Sequence, residues 1–349
     1  MKLFSCPQCQ QPLYFENNQC LQCKQAVGFN PASLNMEPVI SDAAQSQSAT
    51  VRCTNHSRNG CNWLIPADHA GGLCQACELN RYIPNLKTEE SQNQWQEFEQ
   101  AKRRLVYSLV RLGLPVSSKR SNEDDGISVD FIDPDAPLPK DAVNTTGHAD
   151  GQITVVTNEA DPVQREQNRI DLEEQYRTLL GHLRHEIGHY YWDVLVKDNA
   201  SLLADYRAVF GDESQDYGVA LEHHYANGAP EDWPQHFVSA YASSHPWEDW
   251  AESWAHYMHL VDLAETAAAF GFSIQPTVAN DDQQLTVTQV CDPFSGIDFA
   301  TLAQQAIAVS ITVNSFNRSL GQDDAYPFVL TETIHNKLNF IHTAISQQV

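Results

Sequence analysis

Eight cysteines crowd between Cys6 and Cys77 of this 349-residue chain, and only Cys291 lies beyond them. Segments this short bury too little apolar surface to hold a fold, so a cross-link by metal or disulfide has to supply it. Cys6-Pro7-Gln8-Cys9 and Cys20-Leu21-Gln22-Cys23 are two Cys-x-x-Cys turns ten residues apart. Each turn aims two thiolates to one side, and two such turns complete a tetrahedron around Zn²⁺. Leu13-Tyr14-Phe15, followed by Glu16-Asn17-Asn18-Gln19, reads as the hairpin between them. Cys53, Cys61, Cys74 and Cys77 form a second set in which only the last pair has this spacing. Cys53 and Cys61, with Asn59-Gly60 between, suit an irregular turn, and His56 and His69 are substitute ligands. The start, MKLFSCPQC, has no room for the apolar core of about 7–15 residues that an export signal needs. The expected compartment is therefore the reducing cytoplasm, where thiolates bind metal in preference to pairing as disulfides. Two structural zinc ions are expected.

The net charge of −24 is unevenly spread. Residues 1–115 carry 10 basic and 9 acidic side chains; residues 116–349 carry 11 and 36. The polar stretch Ser41–Ser48 reads as a linker between the cysteine sets. Zinc ribbons often bind nucleic acid, but acidity on this scale disfavours a polyanion. Lys102-Arg103-Arg104 falls in a helix marked by Trp95, Phe98, Leu105, Val106, Leu109 and Leu112, and reads as a solvated face beside Glu97 and Glu99. The ribbons are thus expected to be structural or to dock a protein partner. No run of about 18 apolar residues is present, so no membrane span is expected.

The chemistry is expected downstream. Asp161-Pro162 opens a helical pattern with Ile170, Tyr176, Leu179, Leu180 and Leu183 along one stripe. It carries His185-Glu186-Ile187-Gly188-His189. Histidines at i and i+4 share a helical face and can share a metal, with Glu186 beside them to deprotonate a water. Gly188 would let another element approach closely. A third ligand is required, and the positions three and six after His189 are Trp192 and Leu195, which excludes the metzincin pattern. In His245-Pro246-Trp247-Glu248-Asp249-Trp250-Ala251-Glu252-Ser253-Trp254-Ala255-His256, Pro246 starts a helix that puts Glu248, Glu252 and His256 on one face. The interleaved tryptophans imply burial, where carboxylates need a partner. Any of the three residues is a candidate ligand, and Asp193, four residues after His189, is a candidate for bracing an imidazole. Residues 276–292, strand-like at Gln284–Val290, read as an excursion, and helices are expected over about 299–319 and 326–347.

Glu-x-x-Ala-Glu on a helix downstream of His-Glu-x-x-His resembles the third-ligand helix of gluzincins, including the lethal-factor-type toxin peptidases. There the first Glu binds zinc, and a Tyr seven residues earlier stabilises the oxyanion; the matching positions are Glu248 and Tyr241. Over nearly its whole length the chain is similar to a bacterial family of zinc-binding metallopeptidases with an N-terminal zinc ribbon. The segments that carry this are CPQCQQPLYFENNQCLQC, CNWLIP, LCQACELNRYIPNL, AKRRLVYSLVRLGLP, HLRHEIGHYYWDVL and FVSAYASSHPWEDWAESWAHYMH.

The resemblance implies an α+β chain: N-terminal zinc-ribbon modules and then a mainly helical, zincin-like metallopeptidase domain with a small edge sheet. The expected division is a double ribbon region at 1–84, a connecting helix at 85–115 and a catalytic domain at 116–349. It further implies one catalytic zinc held by His185, His189 and Glu248, with a metal-activated water hydrolysing peptide bonds. Glu186 would serve as the base and Tyr241 as oxyanion donor, with Glu252 orienting a zinc-bound imidazole. By fold analogy strand 151–157 would be the edge that pairs with a peptide substrate. The alternative is a non-catalytic protein-interaction module on a zincin scaffold.

Overall fold

The computed structural model describes residues 1–39, 50–134, 136–137, 146–171, 177–277 and 285–348. The expected linker at Ser41–Ser48 lies outside them, as do Tyr176 and Gln284. The chain divides into two compact units, Met1–Gln164 and Arg165–Val349.

The first unit is built on short strands and one long helix. Phe4–Ser5 pairs antiparallel with Pro12–Leu13, Val27–Asn30 with Asn35–Pro38, and Thr50–Arg52 with Leu64–Pro66. Strands this small are not self-sustaining. They are sewn together by an aromatic cluster in which Phe29 lies 5.0 Å from Trp63 and 5.1 Å from Phe15, ring centre to ring centre. Tyr107 joins that cluster at 5.1 Å from Phe15. It comes from the helix Glu89–Arg111, whose N-cap Thr88 accepts from Ser91 N and whose first turn carries Glu89 and Glu90. The expected apolar stripe of this helix is buried, but so are Lys102 and Arg103. They do not form a solvated face: Lys102 Nζ sits 2.6 Å from the fully buried Glu99 carboxylate and also donates to Asn80. Burial without partners would be prohibitive for this cation, and Glu99 and Asn80 provide them. Only Arg104 reaches outward, to Glu16 at 2.5 Å.

A four-stranded sheet completes this unit in the order Asn80–Tyr82, Ser128–Ile132, Gln152–Val156, Gly147–Ala149. The first two pairings are parallel and the last antiparallel. Ser128–Ile132 is buried at every position, as a central strand of a mixed sheet should be. The sheet draws strands from both sides of the expected borders at 84/85 and 115/116, and the strand expected as a peptide edge is paired on both sides.

The second unit is helical. The helical pattern that opens at Pro162 is interrupted: Pro162–Asp171 is one helix, and Thr178 caps a new one, Leu179–Trp192, by accepting from Gly181 N at 3.0 Å. A single π turn, Asp193–Lys197, extends it. Ala200–Phe210 and Tyr217–Asn227 follow. The 24-residue helix Pro246–Ala269 runs through the middle, packed on Leu179–Trp192, Phe299–Ser319 and Glu332–Ser346. Its start at Pro246 is as read from sequence, with His245 Nδ1 accepting from Trp247 N at 3.1 Å. Gly188 makes the central crossing close: a Cβ there would lie 3.1 Å from Ala251 Cα and from Trp254 Cβ. Trp250 Nε1 donates to Gly188 O at 2.8 Å and Trp254 stacks on Tyr191, so the tryptophans serve as the mortar of this contact. In place of the expected strand near Val290, Ile274 and Val287 form a single antiparallel bridge. Among the described residues no helix is long and apolar enough to cross a membrane.

Candidate metal centres and active site

In the first unit the cysteines gather as two foursomes, Cys6, Cys9, Cys20, Cys23 and Cys53, Cys61, Cys74, Cys77. All are free thiols. Cys6–Cys23, Cys9–Cys20 and Cys61–Cys74 each have sulfurs 3.6 Å apart. That is far beyond a disulfide bond of about 2.05 Å. It lies close to the edge of about 3.8 Å that a tetrahedron with Zn–S near 2.3 Å requires. His56 is not drawn in; its Nδ1 lies 2.9 Å from Cys61 O. The second foursome is wholly buried, and Glu99 lies beside it, 3.9 Å from Cys77 Sγ.

The third cluster is His185, His189 and Glu248. The motif helix supplies both imidazoles, and the first turn of Pro246–Ala269 supplies the carboxylate across the Gly188 crossing. His185 Nε2 and His189 Nε2 are 3.2 Å apart. Glu248 Oε2 lies 3.0 Å from the former and 3.5 Å from the latter. Three ligands at about 2.1 Å around a tetrahedral zinc would be about 3.4 Å apart, so these donors fit the ion as they stand.

The hydrogen bonds behind them explain why the cluster needs a cation. An ionised carboxylate only accepts, so Glu252 Oε1 at 2.6 Å accepts a hydrogen bond from His185 Nδ1–H and leaves Nε2 facing the triangle. Glu252 Oε2 accepts from Ser239 Oγ at 2.6 Å. Against burial, the His185 contacts and Ser239 hold the Glu252 carboxyl down at about 2. Burial works likewise against ionising Glu248, but the two histidines hold it well below the usual carboxylate range. His185 is pulled down by burial, yet Glu248 and Glu252 raise it well above an ordinary imidazole. A proton on His185 balances the two carboxylates in the metal-free arrangement, and a metal ion would take over that role.

Glu186, also buried, lies 3.2 Å from His182 Nε2 through its Oε1. Burial pushes its carboxyl up, but His182 and the two motif histidines outweigh that, and the net shift is down. Tyr241 stands over the cluster with its ring 6.1 Å from that of His185. Burial and Glu248 push its phenol up, so it stays a hydrogen-bond donor. The structure does not bring Asp193 to the histidines; it pairs with Lys197 at 3.0 Å. His256 turns away too, its Nδ1 2.8 Å from Tyr326 OH.

Sequence reading missed three contributors. His182 was detectable, since it precedes Glu186 by one helical turn. Ser239 and Tyr217, whose hydroxyl donates to Glu248 Oε1 at 2.6 Å, carry no local signal.

Two family models cover the chain: one described as "Putative zinc-binding metallo-peptidase" matches residues 91–344, and a zinc-ribbon domain matches residues 3–88. The chain belongs to this metallopeptidase family. Uncharacterized proteins of Mycobacterium bovis and Mycobacterium tuberculosis are 40% identical over 347 residues, spanning 99% of this chain and 96% of theirs. No solved structure matches it. The family assignment agrees with the donor sets: zinc is the metal that suits both the cysteine foursomes and the two-histidine, one-carboxylate cluster.

Proposed function

We propose that this chain is a zinc-dependent peptidase whose centre lies in the second unit, with His185, His189 and Glu248 holding the catalytic zinc. The convergence of those three donor atoms beside the buried, ionised Glu186 carries the reading. A zinc ion bound there would acidify a water and polarise the scissile carbonyl. Glu186 takes the proton of the attacking water and passes it to the departing amine. Its depressed pKa suits the first half of that duty, because the carboxylate is ready to accept at neutral pH. Tyr241 donates its hydroxyl hydrogen to the oxyanion as the carbonyl carbon becomes tetrahedral. Glu252 keeps the Nδ1 proton on His185 and so keeps Nε2 available to metal.

The cysteine-bound zincs have a structural role in this proposal, and the ribbons offer a surface for a protein partner. Burial of Lys102 and Arg103 removes the basic run that would have suited nucleic acid. The substrate is a peptide or protein, and the test is cleavage of a peptide library by the zinc-loaded chain. Glu186→Gln should retain zinc and lose at least about 100-fold in rate, the usual worth of a general base. Unchanged cleavage in that variant would refute the mechanism.

A further inference from the structure

The helix Tyr217–Asn227 has no buried residue, and its His224 meets Tyr241 edge-on at 6.0 Å. Asp216 caps it, accepting from Val219 N at 3.0 Å. Tyr217 opens it, with 39% of the residue exposed. Yet the hydroxyl of this exposed residue reaches Glu248, which is 1% exposed, and donates to its Oε1 at 2.6 Å. The ring meets His245 edge-on at 5.3 Å and Trp247 edge-on at 5.8 Å, the N-cap and the second residue of the long helix, just before Glu248.

A carboxylate can bind a cation through one oxygen or through both. Here the two oxygens have separate tasks: Oε1 accepts from Tyr217, while Oε2 faces His185 and His189. A cation that used both oxygens would compete with Tyr217 for Oε1 and weaken that hydrogen bond, so the bond favours binding through Oε2 alone. We propose that Tyr217 is a positioning residue that holds Glu248 as a one-oxygen ligand, so that a coordination position stays open beside Glu186. The proposal rests on the metal-site reading above. The role assigned to Tyr217 is exerted through Glu248, although its side chain also interacts with that of Tyr241.

The test is Tyr217→Phe in the full-length chain. The substitution removes one oxygen and keeps the ring between His245 and Trp247. Zinc affinity of the second-unit site is measured by competition with a fluorescent chelator, under conditions that leave the cysteine-bound zinc in place. The expected result is binding about 10–100-fold weaker than wild type, the usual loss when a ligand's outer partner is removed. The thermal midpoint of protein stripped of that one zinc should drop only by what one hydrogen bond to a buried carboxylate contributes. A merely structural role would lower the midpoint and leave the affinity unchanged, and that pattern would overturn the proposal. Affinity within twofold of wild type would overturn it as well. Glu248→Ala run alongside separates the two layers: if that variant still binds zinc like wild type, the metal-site reading itself has failed, whatever Tyr217→Phe does.

Discussion

Gly188→Ala tests whether the helix crossing sets the metal site. In an ordinary helix this change is favourable, by about 1 kcal/mol, because alanine loses less backbone freedom on folding. Here the new methyl would sit 3.1 Å from Ala251 Cα and Trp254 Cβ and 3.2 Å from Trp254 Cδ1. Relaxed carbon contacts lie at about 3.5–4.0 Å, so the helices must part by roughly half an ångström. Two of the opposing atoms belong to the helix scaffold and cannot swing aside. Overpacking of this kind costs about 1–3 kcal/mol, so the net change in stability is a loss of up to about 2 kcal/mol. The effect on metal should be larger than that figure suggests. Ala251 lies between Glu248 and Glu252 in sequence, and parting the helices draws both carboxylates away from His185 together. Zinc affinity of this site should fall by at least about tenfold, or about 1.4 kcal/mol. Urea unfolding of the variant and chelator competition read the two quantities separately. A variant about 1 kcal/mol more stable than wild type, with unaltered zinc affinity, would refute the reasoning, because it would mean the crossing is loose.

Glu252→Gln keeps the shape but removes the charge behind His185; zinc binding should weaken by about 10–100-fold while circular dichroism stays that of wild type. Cys74→Ser should release one zinc from the first unit and open that unit to proteolysis, since metal binding supplies its folding free energy; the second-unit zinc should remain. His256 gives a pH signature. Burial lowers it to about 4, outweighing the pull of Glu252, so the unfolded chain binds this proton at a higher pH than the native one does. Stability should therefore rise with pH between about 4 and 6.5 and fall on acidification through that window, by up to about 3 kcal/mol from this residue. Unfolding at pH 7 and pH 5 in saturating zinc should show a smaller loss for His256→Gln than for wild type; equal losses would remove His256 as the cause.

The residues that declare themselves in the sequence do so because their chemistry repeats at fixed spacing. Cys-x-x-Cys turns and histidines at i and i+4 are local geometry, and Pro246 marks a helix start by its own backbone. Glu248 and Glu252 follow from that start, one turn apart; their spacing alone does not separate their tasks, which the family resemblance implied, and in the structure Glu248 faces the histidine pair while Glu252 backs His185. Non-local relations were not legible. Tyr217 is 31 positions from Glu248 and meets it only because the chain between them folds back. The pattern at Pro162 looked continuous because a stripe of apolar residues does not reveal a second cap, and Thr178 supplies one. Lys102 looked solvent-facing by its neighbours in sequence; its partner Asn80 comes from a strand 22 positions away. The parallel pairing of Asn80–Tyr82 with Ser128–Ile132 is long-range in the same way.

The central claim is a zinc site in the second unit in addition to two cysteine sites in the first. Elemental analysis of the purified chain beside its His189→Ala variant tests it most directly. Three clusters are present among the described residues, so wild type should carry about three zinc ions per chain. The variant should carry about two and unfold as cooperatively as wild type does. Equal zinc content in the two proteins would contradict the account.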